Sequence, residues 1–207
     1  VESLAHDLLD LATSLGPCHV VGHSLGGMVA MRLALDAPRS VRSLSVINST
    51  AYSGTPWLQR MAQRAFIRGP GMTAFAWVNA RGHLPGRGQE ALRARFMETM
   101  AACPAQTYLA IQDAVDGCDM RARLGEIACP VLVVHSEGDL VPRRDKEQVA
   151  TGVRDGRLVT LASSRHIAPW DQPDRLNEVL LGFLDQVGHP TAGGRGAGAV
   201  SPGGTAR

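Results

Sequence analysis

Short continuous apolar runs alternate along the chain with longer stretches in which apolar residues recur at helical spacing. Residues 18–23, 41–47, 130–135 and 157–161 are short and apolar and read as strands. The first three are nearly continuous, as in parallel strands covered on both faces. Leu4, Leu8, Leu11 and Leu15 recur at helical spacing, so 1–15 reads as a helix. Residues 25–37 contain no breaker, Pro38 closes them, and their first half, "LGGMVAM", is apolar on every side. A helix of that kind is buried. A closing helix is expected over 174–187. Strands alternating with helices predict an α/β fold, with a parallel sheet of about four strands flanked by helices.

One connection, residues 50–126, is too long for a simple crossover. It carries helical periodicity over 57–67, 72–79, 89–101 and 105–115, and "RGHLPGRGQ" breaks it in the middle. It reads as an inserted helical cap over 51–126, between core segments 1–50 and 127–187. Residues 188–207 are mostly Gly, Ala, Pro and Thr without periodicity, and a disordered tail is expected there.

Composition narrows the class. With 44% hydrophobic and 19% charged residues, the 207-residue chain suits one globular domain. A net charge of +2 without a long basic run gives nucleic-acid binding no support. No apolar segment approaches ~20 residues, so no membrane association is expected. Cys18, Cys103, Cys118 and Cys129 lack metal-ligand spacing and read as free thiols in a reducing cytoplasm. The start, "VESLAHDLLD", is amphipathic and acidic rather than a signal peptide. It opens inside a helix at Val1, from which a missing beginning is expected.

The chemistry concentrates at "VVGHSLGGMVA", where Gly22, Ser24 and Gly26 form G-x-S-x-G between a strand and a helix. A serine on such a turn sits in strained backbone with its hydroxyl pushed out of the sheet. Glycine is expected on both sides, because a Cβ two residues away would crowd the turn. The amide of Leu25, at the start of the helix, is the candidate donor to a developing oxyanion.

A serine hydroxyl needs a base, and the base needs an acid to fix its tautomer. Of the seven histidines, His6 falls on the first helix, His19 and His135 in strands, and His83 and His189 in Gly/Pro-rich stretches. His23 directly precedes the serine and is expected to point away from it. His166 follows the last strand, on a loop at the carboxyl edge of the sheet, where open α/β sheets keep their sites. Asp139 lies in the loop after the third strand, with Glu137 as its local rival. Asn48 ends the second strand, where no carboxylate is available. Trp170, four residues after His166, is a candidate substrate contact.

The stretches "GHSLGGMVAMRLALDAPRSVRSLSVINS", "IACPVLVVHSEGDLVP" and "RHIAPWDQPDRLNEVLLGFL" resemble, in order, the α/β-hydrolase superfamily in its capped bacterial form. The resemblance implies Ser24 as nucleophile, His166 as base and Asp139 as acid, acting without cofactor or metal on a small-molecule ester or related carbonyl compound. Arg165 departs from the glycine that usually precedes the histidine. Members carry about four further strands before the serine, so the chain resembles the carboxyl-terminal two-thirds of such an enzyme, and the alternative to a hydrolase is a catalytically inactive fragment or non-catalytic binding remnant of the same fold. Strand 18–23 is then expected at a sheet edge, open to self-association.

Overall fold

A computed structural model describes residues 1–188. Of the tail expected over 188–207, all beyond Gly188 lies outside the described residues. The elements are α1 (Glu2–Leu15), β1 (Cys18–His23), α2 (Leu25–Asp36), β2 (Val41–Ile47), α3 (Trp57–Arg68), α4 (Gly71–His83), α5 (Glu90–Ala101) and α6 (Ala105–Asp116). A 3₁₀ turn, Arg121–Glu126, leads into β3 (Val131–Ser136), α7 (Arg143–Gly152), β4 (Gly156–Leu161), α8 (Ala168–Asp171) and α9 (Pro173–Gly188).

The four strands form one sheet in the order β1-β2-β3-β4, and each neighbouring pair is parallel. All four carboxyl ends therefore point to one edge. Alternation along β3 divides the core into two layers. Val131 and Val133 face α1, α2 and α7, joined there by Met31, Leu44 and Val149. Leu132 and Val134 face the other side, with Leu161, Leu176 and Phe183. Each fully buried Val or Leu adds about 1.5–3 kcal/mol to the drive for folding. The all-apolar start of α2 is buried as its composition requires, from Gly27 to Met31.

Helices α3 to α6 all belong to the connection between β2 and β3. They carry a small apolar cluster of their own: Ile67, Met72, Phe75 and Leu109. α4 runs one turn past the expected end at residue 79, which puts His83 on the helix. Its capping bond, from the Leu84 amide to the Ala80 carbonyl, carries the chain past Gly82 before Pro85 stops it.

At the other end of the sheet, β1 pairs with β2 alone among the described residues, and its Val21 is 48% exposed. Leu4, Leu8, Leu11 and Leu15 of α1 also face outward, with Leu15 at 67% exposure, while Ala5 and Ala12 are buried and Leu9 packs against the core. No helix among the described residues is long and apolar enough to cross a membrane.

Candidate active site

Ser24 follows the last residue of β1 and caps α2, with φ 52° and ψ −119°. A non-glycine residue in that left-handed region is strained, so neighbouring bonds must hold it. Its amide donates to the Ile47 carbonyl at 2.9 Å, and its carbonyl accepts from Ser49 Oγ at 2.6 Å. Gly22 is required by contact, since a Cβ there would lie 2.2 Å from the Gly26 carbonyl oxygen.

The same crowding argument fails at Gly26, where an added Cβ would meet nothing within 4 Å. The second position that needs glycine is Gly27, whose Cβ would lie 2.5 Å from that of Ser49. The reason is geometric: the close approach is between the first turn of α2 and the loop after β2.

Ser24 Oγ lies 2.8 Å from His166 Nε2, and His166 Nδ1 lies 2.7 Å from Asp139 Oδ1. Three loops from three strand ends thus meet in one continuous line of hydrogen bonds. The Asp139 side chain is fully buried. Burial acts to raise its carboxyl, but the hydrogen bond and charge of His166, then those of Lys146, outweigh burial and hold it below the ordinary value. Glu137 points elsewhere and accepts from the Ser163 amide at 3.1 Å. The amide of Leu25 opens α2, among the donors that have no acceptor within their own helix. The positive end of α2 lies at the same point.

Other residues fix the loop that carries His166. Asn48, fully buried and at φ 47°, donates from Nδ2 to the His166 carbonyl at 2.9 Å, to the Arg165 carbonyl at 3.0 Å and to Ser136 Oγ at 2.8 Å. Its Oδ1 accepts from the Ser136 amide at 2.8 Å. Asp171 accepts from Ser164 Oγ at 2.9 Å and from the Arg165 amide at 2.8 Å. His23 turns toward this loop, with Nε2 2.6 Å from the His166 carbonyl oxygen, and burial lowers its pKa.

The cavity in front of Ser24 encloses about 440 Å³. Asn79, His83, Phe96, Met100, Tyr108 and Gln112 from α4, α5 and α6 line it opposite the serine. Trp170 lines an adjoining apolar cavity of about 350 Å³, which shares His23, Phe96, Met100, Tyr108 and Ile167 with the first. Among the described residues, no acidic residue, lysine or arginine is in the walls of either. His83, placed by its sequence context in a loop, presents its ring 5.1 Å from that of His166, at 30° to it. Burial, and then the neighbouring His166, lowers its pKa to about 4.

A residue outside these motifs, Lys146, also reaches Asp139. It is fully buried on α7, and its ammonium donates to Asp139 Oδ2 and, at 2.5 Å, to the Val141 carbonyl. Two signals mark it: it is the only lysine in a chain whose other strongly basic side chains are all arginine, and it stands three residues before the inward-facing Val149.

A parallel α/β sheet with a strained serine directly after β1, feeding a buried helix, defines a hydrolase class of fold. The chain belongs to the alpha/beta hydrolase family, whose model matches residues 1–179. A Variovorax paradoxus protein named "Putative carbamate hydrolase RutD" is 30% identical over 217 residues, covering 92% of this chain and 75% of its own. A hydrolase from Pseudomonas aeruginosa matches in structure with a TM-score of 0.78 at 29% identity, over 87% of this chain and 70% of its own. An enol-lactonase from Burkholderia xenovorans shares the fold, with a TM-score of 0.80 at 23% identity, over 89% of this chain and 72% of its own.

Proposed function

We propose that the chain is a serine hydrolase that cleaves an ester or related carbonyl bond of a small, neutral, largely apolar substrate. The observation that carries the reading is the unbroken line Ser24 Oγ–His166 Nε2, 2.8 Å, and His166 Nδ1–Asp139 Oδ1, 2.7 Å. Ser24 Oγ attacks the carbonyl carbon while its proton passes to His166 Nε2. Asp139, an anion, keeps the other ring proton on Nδ1 and stabilises the imidazolium. The Leu25 amide donates to the oxyanion. The tetrahedral intermediate expels the leaving group, which takes the proton from His166, and an acyl-Ser24 ester remains. Water then gives its proton to His166 and attacks that ester, and the returning proton frees Ser24 and the acid.

The neutral walls of both cavities support an uncharged substrate, with α3 to α6 acting as a cap and Trp170 flanking its apolar part. A carbamate, the bond in the name of the Variovorax relative, is one carbonyl compound within this class. The test is covalent labelling with a fluorophosphonate probe followed by peptide mapping. Label is expected on Ser24 and lost in Ser24→Ala and His166→Ala. A folded chain that takes no label, or takes it elsewhere, removes the assignment.

A further inference from the structure

The chain contains twenty-one strongly basic side chains, and Lys146 is the only lysine among them. Arginines carry the surface charge, in pairs such as Arg32–Asp36 and Arg143–Glu147. The single ammonium is instead fully buried, against a carboxylate that is itself fully buried. A compact point charge on a flexible stem fits such a slot, which a planar guanidinium fork would overfill.

We propose that Lys146 is a positioning residue of the active site, which holds the Asp139 carboxylate in the orientation that meets His166 and shares its charge. This rests on the roles given above to Ser24, His166 and Asp139. The two carboxylate oxygens are divided between partners: Oδ1 faces His166 Nδ1 at 2.7 Å, and Oδ2 accepts from Lys146. Rotation of the carboxylate would break both contacts. The ammonium is itself fixed by the Val141 carbonyl at 2.5 Å, two residues from Asp139 in the same loop.

Stability alone is a weak reason for this pair, since well-packed apolar residues commonly replace buried ion pairs without loss. Its placement has a chemical consequence. An imidazolium at His166 would face a second positive charge across a single carboxylate, which opposes protonation of the base. The other charged and titratable groups around this cluster are Asp145, Glu147 and Arg143 on α7, His135 on β3, His23 at the end of β1, His83 on α4, and Arg165 and Asp171 beside the His166 loop. Burial presses Lys146 toward losing its proton, and the hydrogen bond and charge of Asp139 oppose that loss.

The test is the rate of fluorophosphonate labelling of Ser24 against pH, in the full chain and in Lys146→Met and Lys146→Gln. With Lys146 absent, Asp139 acts on His166 alone and the acid limb of the rate should move up by about one pH unit in both variants. The plateau should fall by about tenfold in Lys146→Met and less in Lys146→Gln, whose amide still donates to Asp139. A lowered plateau with the limb unmoved in both variants overturns the proposal and leaves Lys146 a packing residue. Labelling in the unsubstituted chain separates the two readings: without it the nucleophile assignment falls and this proposal with it, whereas labelling with unshifted variants sinks only the role of Lys146. Should neither variant fold, the unsubstituted chain decides by nitrogen-15 NMR, where a single lysine gives an unambiguous side-chain signal. A slowly exchanging ammonium that shifts when Ser24 is phosphonylated is expected; a fast-exchanging one insensitive to phosphonylation overturns the proposal.

Discussion

Asn48 Nδ2 holds the backbone carbonyl of His166 at 2.9 Å across the carboxyl edge of the sheet. The same side chain ties β2 to Ser136 at the end of β3, so one amide sets the relative height of two loops. Asn48→Ala would leave the Ser136 amide and two loop carbonyls short of a partner in a buried site. It would also place alanine at φ 47°, which asparagine tolerates better. The expected cost is about 2–4 kcal/mol of stability, with turnover lowered even where the variant is folded. Chemical denaturation alongside an esterase assay at low temperature checks both; unchanged stability would mean that Asp171 and His23 suffice to hold the loop.

The rivalry between Asp139 and Glu137 is decided by function. Asp139→Asn should reduce turnover by about four orders of magnitude, because an amide favours the wrong imidazole tautomer. Glu137→Gln touches only the Ser163 amide and should stay within about twofold. Steady-state kinetics of the two variants on one nitrophenyl ester make the comparison, and the reverse ranking would remove Asp139 from the site.

The glycines near Ser24 separate by contact. Gly22→Ala forces a Cβ into the first turn of α2 and should disrupt the turn, with loss of folded protein on expression. Gly26→Ala meets open space and should be tolerated, with a gain of a few tenths of a kcal/mol to ~1 kcal/mol from the stiffer unfolded chain. Thermal melting of both variants tests the pair; equal damage would mean that Gly26 is constrained by something other than these contacts.

How far these relationships can be read from sequence depends on whether local pattern or tertiary placement decides them. Strands β2 and β3 are legible because both faces of each are buried, at all positions but Arg42, so apolar residues fall on both faces. Ser24, Asp139 and His166 can be picked out because each follows a strand and all the strands run one way. Lys146 escapes because α7 is otherwise polar, and a lysine on such a helix reads as solvated until Asp139 is seen behind it. His83 escapes because Gly82 and Pro85 suggest an earlier helix end than packing allows. On α1 the leucine spacing shows a helix, but which stripe is buried depends on α2, against which the small Ala5 and Ala12 fit.

His83 links pH to stability. Its folded pKa of about 4 lies below the ordinary histidine value of 6.5, so the unfolded chain binds the proton first. Stability should therefore fall as the pH drops from about 6.5 to about 4 and lose nothing more to this group below that. His83→Phe keeps a ring beside Phe96 and removes the titration. Its melting temperature should fall less between pH 7 and pH 4.5 than that of the unsubstituted chain. Parallel curves for the two proteins would show that other groups govern the acid limb of stability.

The open edge of β1 leads to the last expectation. Along that edge the backbone N–H and C=O groups have no strand partner among the described residues, and no proline or lysine interrupts the strand. Val21, 48% exposed, adds apolar surface to the strand, and the outward leucines of α1 add more. Such an edge is a template for another strand, and the proposed occupant is β1 of a second copy. Light scattering of the chain should then give a mass above that of the monomer, falling on dilution. Val21→Lys puts a charge on the strand and should shift the chain toward monomer with an unchanged circular dichroism spectrum. Leu8→Lys with Leu11→Lys, on the helix, is the control. If that pair dissolves the assembly and Val21→Lys does not, the contact runs through α1; if the chain is monomeric at every concentration, the edge is not used.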